Sequence, residues 1–223
     1  LGDVNMKTLR TAIVAATMMT SASAMAIEVS GNVALGSDYF FRGIDQAGGV
    51  AISGGLDVAA DNGLYAGTWS SSINFSGGVE NDYYVGYAGS FSEDVSYDVG
   101  YLWYGYPQGP SSEEFGEFYG SVSYGDATVG FAISDDYYAS TGSGEYFYLD
   151  YGMSLTESFS LGFHYGTMSV EDDETLAGDD YSLTLSTEVS GLALDLSWVD
   201  HSKDSADQAY ADNEFVLTIS KSM

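Results

Sequence analysis

The chain has 223 residues, with 33 acidic side chains against five lysines and arginines and a formal net charge of −28. A surface this acidic repels phosphates and excludes nucleic acid as a partner, and the absence of cysteine excludes disulfides and thiolate metal sites. The 28 glycines, 19 tyrosines and two prolines favour many strands with few breaks. We therefore expect one all-β domain.

The N-terminus has the pattern of a secretory signal peptide. Lys7 and Arg10 precede a short apolar run, and small residues end in Ala24-Met25-Ala26. A membrane-spanning helix would need about 20 apolar residues, and this run is shorter. We expect cleavage after Ala26, so that residues 1–26 are upstream residues and signal peptide and residues 27–223 form an outer-membrane barrel.

The first strand pattern occupies residues 27–43. Its odd positions, from Ile27 to Phe41, are mostly apolar, and its even positions, from Glu28 to Arg42, are mostly polar. This period of two predicts a strand with one apolar face, which at about 3.3 Å per residue is long enough to cross a bilayer. Arg42, at its end, is the only arginine after residue 26.

Eleven further segments alternate in the same way and bring the expected number of strands to twelve. They cover residues 49–60, 64–73, 82–91, 95–106, 117–125, 127–138, 146–155, 159–170, 180–189, 192–200 and 214–222.

The connections alternate between five short turns and six longer polar loops. This layout is typical of a transmembrane antiparallel up-and-down β-barrel, whose short turns face the periplasm. A soluble β-sandwich is the alternative, but it seldom needs so many aromatic residues at strand ends. We expect these residues to form an interfacial girdle: Tyr39, Phe41, Phe75, Tyr83, Phe91, Tyr97, Trp103, Tyr106, Tyr124, Phe147 and Trp198.

Several motifs resemble the TorF family of porins. They are residues 37–46 (SDYFFRGIDQ), 51–57 (AISGGLD), 63–71 (GLYAGTWSS), 104–107 (YGYP), 117–120 (EFYG) and the ending at 219–222 (ISKS). The resemblance covers nearly all of the chain after residue 26, and it departs at Met223, where members of that family tend to end in Phe. It implies an outer-membrane barrel that passes small solutes, and it supplies no catalytic residues.

Arg42 is the strongest single candidate for a functional role. By parity it shares the inward face with Glu28, Asp38 and Asp57, so a charge pair with these carboxylates would tune the pore. The alternative hypothesis is that Arg42 only neutralises lumen carboxylates and holds the first loop in place. The same parity places these further acids in the lumen, and they predict a preference for cations: Asp82, Asp98, Glu117, Asp136, Asp150, Asp180, Glu188, Asp195 and Glu214.

Metal binding and catalysis find little support. The acidic loops at residues 171–174 and 204–212 have the oxygen ligands that Ca²⁺ or Mg²⁺ uses, but they lack EF-hand spacing, which favours solvated charge. His164 has inward parity. Asp200 and His201 are adjacent on one strand, so their side chains point to opposite faces. We expect no cofactor, no metal and no enzymatic activity.

These observations predict an outer-membrane porin for passive diffusion of small hydrophilic solutes, with cations favoured. The expected partners are outer-membrane lipid, lipopolysaccharide, small solutes and cations. The alternative is a structural or adhesive barrel with a closed lumen. Twelve strands do not decide between them, because barrels of eight strands are filled by side chains and barrels of sixteen are open.

Overall fold

The computed structural model describes residues 27–203 and 210–223, so the expected signal peptide lies outside the described residues. Fourteen strands follow one another in chain order, and two single 3₁₀ turns lie at Tyr138–Ser140 and Glu174–Leu176. None of the described helical segments is long and apolar enough to cross a membrane. The strands are β1 (Ile27–Gly36), β2 (Phe40–Phe41), β3 (Ile44–Asp45), β4 (Ala51–Ala60), β5 (Leu64–Ser72), β6 (Val79–Ser90), β7 (Val95–Gly105), β8 (Phe115–Tyr124), β9 (Ala127–Ser134), β10 (Gly144–Ser154), β11 (Phe159–Val170), β12 (Gly178–Val189), β13 (Leu192–His201) and β14 (Glu214–Ser222).

Twelve of these strands, β1 and β4 to β14, close into one antiparallel barrel. Each pairs with its neighbours along the chain, and β1 closes the barrel by pairing with both β4 and β14. Closure gives every strand of the barrel a partner on both sides, which is the condition for a sheet to cross a bilayer. The predicted twelve-stranded, all-β barrel is therefore confirmed.

The outer surface of the barrel is apolar. Val29 is 68% exposed, Val85 is 54% exposed and Leu217 is 48% exposed. A contiguous exposed apolar belt of this extent is rare on soluble monomers and is typical of a surface that faces lipid. Further exposed members of the belt are Val33, Leu35, Leu56, Val58, Tyr101, Phe118, Val129, Leu149, Tyr151, Phe163, Leu196 and Ile219.

The two rims of the barrel differ. Five connections of two to four residues form the short-turn rim, at residues 61–63, 91–94, 125–126, 155–158 and 190–191. Six longer connections form the long-loop rim, at residues 37–50, 73–78, 106–114, 135–143, 171–177 and 202–213. This alternation is the one expected from the sequence.

The first strand is shorter than predicted and ends at Gly36. At Gly36 the chain bends so tightly that an added Cβ would lie 2.6 Å from the carbonyl oxygen of Asp38. Ser37 then binds Leu217 on β14, with its N–H donating to the Leu217 carbonyl (2.8 Å) and its Oγ accepting from the Leu217 N–H (2.9 Å). Residues 37–50 leave the barrel wall and form loop 1, which contains the two-stranded β2–β3 ribbon.

Two other expectations fail: one strand ends earlier than the alternation suggests, and part of the expected aromatic girdle lies inside the barrel. β9 ends at Ser134, so Asp136 lies exposed in the loop at residues 135–143 instead of on the lumen wall. Four residues expected in the aromatic girdle lie inside the barrel: Tyr106 belongs to the buried cluster, and Tyr39, Phe41 and Phe75 pack against it.

One side of the lumen wall is lined with tyrosines that lie over glycines of neighbouring strands. A Cβ added to Gly67 would lie 2.5 Å from the Tyr84 ring, and a Cβ on Gly130 would overlap the ring of Tyr148. The inward positions of β12, β13, β14, β1 and β4 carry mostly serine, threonine and other small side chains, such as Ser197 and Thr218. The lumen therefore has an aromatic wall and a hydroxyl-rich wall.

Candidate pore constriction

Loop 1 folds into the long-loop half of the lumen through its ribbon. Phe40 pairs with Asp45 and Phe41 pairs with Ile44, and Arg42 and Gly43 form the turn between them. Both turn residues have positive φ, 50° and 73°, as a type I′ hairpin turn requires. Glycine adopts this conformation at little cost, but for Arg42 it costs about 1–3 kcal/mol. The interactions of the arginine side chain offset this strain.

Arg42 forms a bidentate ion pair with Glu117 on β8. Nη1 and Nη2 each lie 2.8 Å from a carboxylate oxygen of Glu117, whose side chain is 2% exposed, while that of Arg42 is 9% exposed. The Tyr104 hydroxyl donates a third hydrogen bond to this carboxylate at 3.0 Å. A buried pair with this geometry is strongly coupled, because removing either partner leaves an uncompensated charge.

The Arg42 guanidinium also lies against aromatic rings. Its Cζ is 4.1 Å from the centroid of the Tyr146 ring and 4.6 Å from that of Phe41. Nη1 approaches the Met168 sulfur at 3.6 Å. The cation is thus held by a carboxylate, two ring faces and a polarisable sulfur, and cation–π contacts in such a desolvated place contribute about 2 kcal/mol.

The predicted partners of Arg42 were wrong. Glu28 is exposed near the short-turn rim, and Asp57 accepts a hydrogen bond from the Tyr84 hydroxyl. Asp38 stays within loop 1, where its carboxylate accepts from the N–H groups of Tyr39 (2.8 Å) and Gly49 (3.2 Å). The ribbon carries Arg42 across the lumen. The inward parity of the first strand therefore does not predict which residues the Arg42 side chain contacts.

A second contact fixes the ribbon to the wall through Glu80. The hydroxyls of Tyr39 and Tyr106 each donate to a Glu80 carboxylate oxygen at 3.0 Å. Glu80 is 3% exposed. It was missed in the sequence because β6 was expected to begin at Asp82, although Glu80 has the same inward parity two residues earlier.

The other side of the ribbon is held by residues 210–211. The Ala211 N–H donates to the Gly43 carbonyl at 2.7 Å, and Ile44 forms an isolated β-bridge with Tyr210. The Tyr210 ring stacks on His201 of β13 at 4.6 Å. The ribbon therefore spans the lumen from β8 on one side to β13 on the other.

Around the ribbon the long-loop half of the lumen is closely packed. The Phe41 ring meets Tyr104 edge-on at 5.5 Å, and Tyr104 stacks on Phe115 at 4.3 Å. The buried cluster consists of Ile73, Tyr104, Tyr106, Phe115, Ala132, Tyr137, Tyr146, Met168 and Val170. The region formed by the ribbon and this cluster is called the constriction below.

The lumen nearer the short-turn rim contains a second charged network, centred on His164. Its Nδ1 lies 2.6 Å from Asp150, and its Nε2 lies 2.9 Å from Asp180 and 2.8 Å from the Tyr146 hydroxyl. A doubly protonated ring donates to both carboxylates. His164 carries a positive charge only in that doubly protonated form, and Tyr146 joins it to the Arg42 site. The sequence predicted inward parity for His164, Asp150 and Asp180, but it did not predict that the three would pair.

The remaining predicted lumen acids occupy different environments. Asp98 accepts from the Tyr65 hydroxyl at 2.5 Å. Asp82 is buried near Glu80 and Glu117 of the constriction, and its Oδ1 has no hydrogen-bond partner among the described residues. Asp195 is half-buried between Ser186 and Thr218 in the register of the sheet. Glu188 and Glu214 are exposed at opposite rims.

The acidic loop at residues 171–174 binds the neighbouring loop at residues 135–143. The Ser143 N–H and hydroxyl donate to the Glu171 carboxylate at 3.1 and 3.0 Å, and they hold the pKa of that carboxyl below its usual range. Among residues 27–203 and 210–223, no group of three or more acidic or histidine side chains is arranged to hold a metal ion. Residues 204–209 of the second acidic loop lie outside the described residues.

The chain matches a known protein family over most of its length. A family model described as "Bacterial protein of unknown function (Gcw_chp)" matches residues 20–223. The curated proteins contain no match. The TorF name suggested by the sequence motifs is not confirmed.

Solved structures of outer-membrane channels are similar in fold. The KdgM porin has a TM-score of 0.57 at 10% identity, covering 86% of this chain and 97% of its own. The NanC porin has a TM-score of 0.58 at 13% identity, with 85% and 97% covered. The COG4313 outer membrane channel from Pseudomonas putida F1 has a TM-score of 0.52 at 9% identity, with 94% and 98% covered. At these identities the likeness shows the fold alone.

Proposed function

The chain belongs to the Gcw_chp family of bacterial proteins of unknown function, and from this premise and the barrel fold we propose that it is a non-enzymatic porin of the bacterial outer membrane. It passes small hydrophilic solutes by diffusion and favours cations. Its long loops face outward and its short turns face the periplasm, as in other barrels of this class. The observation that carries the proposal is the excess of carboxylates along the lumen.

Acids outnumber bases along the inward face. Arg42 is neutralised by Glu117, and His164 lies between two carboxylates, so neither contributes a net positive field. The other acids add negative charge to the same water-facing wall, and a ring of carboxylates in a channel attracts cations. They are Asp57, Asp98 and Asp195.

The acidic lumen also argues against acidic solutes. One structure of the KdgM porin is described as a complex with disordered oligogalacturonate, which is an acidic oligosaccharide. In the present chain a polyanion would meet Asp98, Asp150 and Asp195 without a free arginine to bind it. Like charges in a confined lumen repel one another. We therefore expect the solutes of this barrel to be neutral or positively charged.

Reversal potentials across a salt gradient in planar bilayers test the proposal. We expect permeability to cations to exceed permeability to anions, and the preference to fade as the Debye length falls from about 30 Å at 0.01 M to about 3 Å at 1 M salt. Asp98→Asn should lower the preference. Asp136→Asn is the matched control, because Asp136 lies in an exposed loop and should leave it unchanged. A channel that prefers anions would contradict the proposal.

The packing of the constriction favours a second candidate, a structural or adhesive barrel whose lumen is closed. Glu117, Phe115 and Tyr106 are nearly inaccessible at the long-loop end. Complete absence of conductance from the purified wild-type chain, over the whole range of salt and voltage, would favour this candidate over the porin.

A further inference from the structure

We propose that the pocket filled by Arg42 is a guanidinium-binding site of the barrel wall, and that solutes carrying a guanidinium group compete with Arg42 for it and release the ribbon. The binding site is inferred from the contacts of Arg42 alone. The role of release in passage rests on the proposed porin function.

Four strands of the wall supply the pocket. Glu117 on β8 offers two carboxylate oxygens at 2.8 Å, and Tyr104 on β7 orients that carboxylate. Tyr146 on β10 offers a ring face at 4.1 Å, and Met168 on β11 offers its sulfur at 3.6 Å. A planar cation with forked N–H donors matches this set, whereas an ammonium offers neither the fork nor the flat face.

The pocket lies on rigid strands of the barrel wall, whereas its present occupant, Arg42, lies on the short ribbon. The four wall strands are fixed by continuous antiparallel ladders on both sides. The ribbon has two residues in each strand, and its tip carries Arg42 at a positive φ of 50°. Departure of Arg42 would relieve that strain and leave the pocket intact.

Exchange of one cation for another is the favourable route for this departure. The Glu117 side chain is 2% exposed, and a carboxylate buried to this degree is costly without a counter-ion. The ribbon is therefore retained until a second cation occupies the pocket. A hydrated sodium ion compensates the charge but makes no forked hydrogen bonds and no ring contact.

The tether also sets the concentration at which exchange occurs. Arg42 is joined to the wall by a short segment, so its effective concentration at Glu117 is in the millimolar range or above. A free guanidinium compound must reach a similar concentration to compete. Weak binding of this kind suits a solute that enters the pocket and then leaves it.

Binding to an emptied pocket tests the site directly. We expect methylguanidinium to bind detergent-solubilised Arg42→Ala, measured by titration calorimetry. Binding to the double variant Arg42→Ala/Glu117→Gln should be about tenfold to a hundredfold weaker, because the charged hydrogen bonds are lost. Methylammonium is the matched control ligand and should bind Arg42→Ala more weakly than methylguanidinium does. Equal binding of methylguanidinium to the single and double variants would overturn the site.

Trypsin reports release in the wild-type chain, which also covers the case in which Arg42→Ala does not fold. After residue 26 the only basic cleavage positions are Arg42, Lys203 and Lys221. Arg42 is 9% exposed, so it should resist cleavage. Methylguanidinium should increase cleavage after Arg42 relative to cleavage after Lys203 in the same digest, and methylammonium should not. An unchanged ratio would overturn the exchange.

Conductance separates this inference from the porin proposal. We expect Arg42→Ala to conduct more than wild type and methylguanidinium to reduce its conductance by refilling the pocket. If no variant conducts but Arg42→Ala binds methylguanidinium through Glu117, the porin proposal fails and the binding site stands. If wild type conducts with cation preference but the titrations show no binding, the porin proposal stands and the guanidinium site fails.

Discussion

The Glu117 carboxylate is a buried charge that two other side chains compensate or orient. This carboxylate receives two hydrogen bonds from Arg42 and one from Tyr104, and it is almost completely removed from water. Such a pair adds little net stability compared with apolar residues of similar size, but loss of one partner is costly. The ion pair is therefore best explained as a device that holds the ribbon in one position.

A double-mutant cycle tests this at the residue scale. The single changes Glu117→Met and Arg42→Met should each destabilise the chain by about 3–5 kcal/mol, because the remaining partner stays buried without a counter-charge. The double replacement Arg42→Met/Glu117→Met should be much less destabilising than either single change, since no charge is left unpaired. Thermal unfolding in detergent, followed by circular dichroism, measures both. Additive effects of the two single changes would contradict the coupling.

The strands could be predicted from the sequence because their signal is local. The alternation in residues 159–170 and 214–222 gave the bounds of β11 and β14 without any knowledge of their neighbours. Loop 1 could not be predicted in this way. Ser37 is 180 residues from the Leu217 N–H that it accepts, and Arg42 is 75 residues from Glu117. No window along the chain contains both partners.

At the scale of whole strands, glycine and tyrosine act as paired features of the aromatic wall. The Tyr148 ring of β10 occupies the space that a side chain at Gly130 of β9 would need, and Tyr146 does the same over Gly166 of β11. The small residue on one strand thus decides where the large ring of the next strand lies. One of these rings, that of Tyr146, is the ring face that the Arg42 guanidinium contacts.

Two glycine substitutions test the pairing. Gly130→Ala should destabilise the barrel by about 1–3 kcal/mol, because its Cβ overlaps the Tyr148 ring and forces it to move. Gly152→Ala on β10 is the matched control: it has the same inward parity, and no atom lies within 4 Å of the new Cβ. Urea unfolding of the two variants in the same detergent compares them. Equal effects would show that ring placement does not depend on Gly130.

The barrel has an apolar outer surface, a lumen with an aromatic wall and a hydroxyl-rich wall, and two unlike rims. The long-loop end of the barrel contains the constriction and the Glu171 to Ser143 contact, while the short-turn end has connections of two to four residues. The asymmetry gives the barrel a defined direction in the membrane. Export and cleavage after Ala26 stay predictions that concern residues 1–26.

Labelling of intact cells tests the orientation. Epitope tags inserted at residues 171–177 should be accessible to antibody from outside, because this long loop is expected to face outward. Tags at residues 61–63 should be labelled only after the outer membrane is permeabilised. Surface labelling of the short turn alone would invert the proposed orientation.

The seam between β1 and β14 has a consequence for the order of assembly. Its register covers five residue pairs, from Asn32 with Ser222 to Gly36 with Thr218, whereas β1 and β4 share ten. Every other ladder of the barrel joins neighbours along the chain and closes a short loop, but this seam must bring distant segments together at a larger entropic cost. If the hairpins form in chain order, this seam forms last. On heating, we expect strand separation to begin at the same seam.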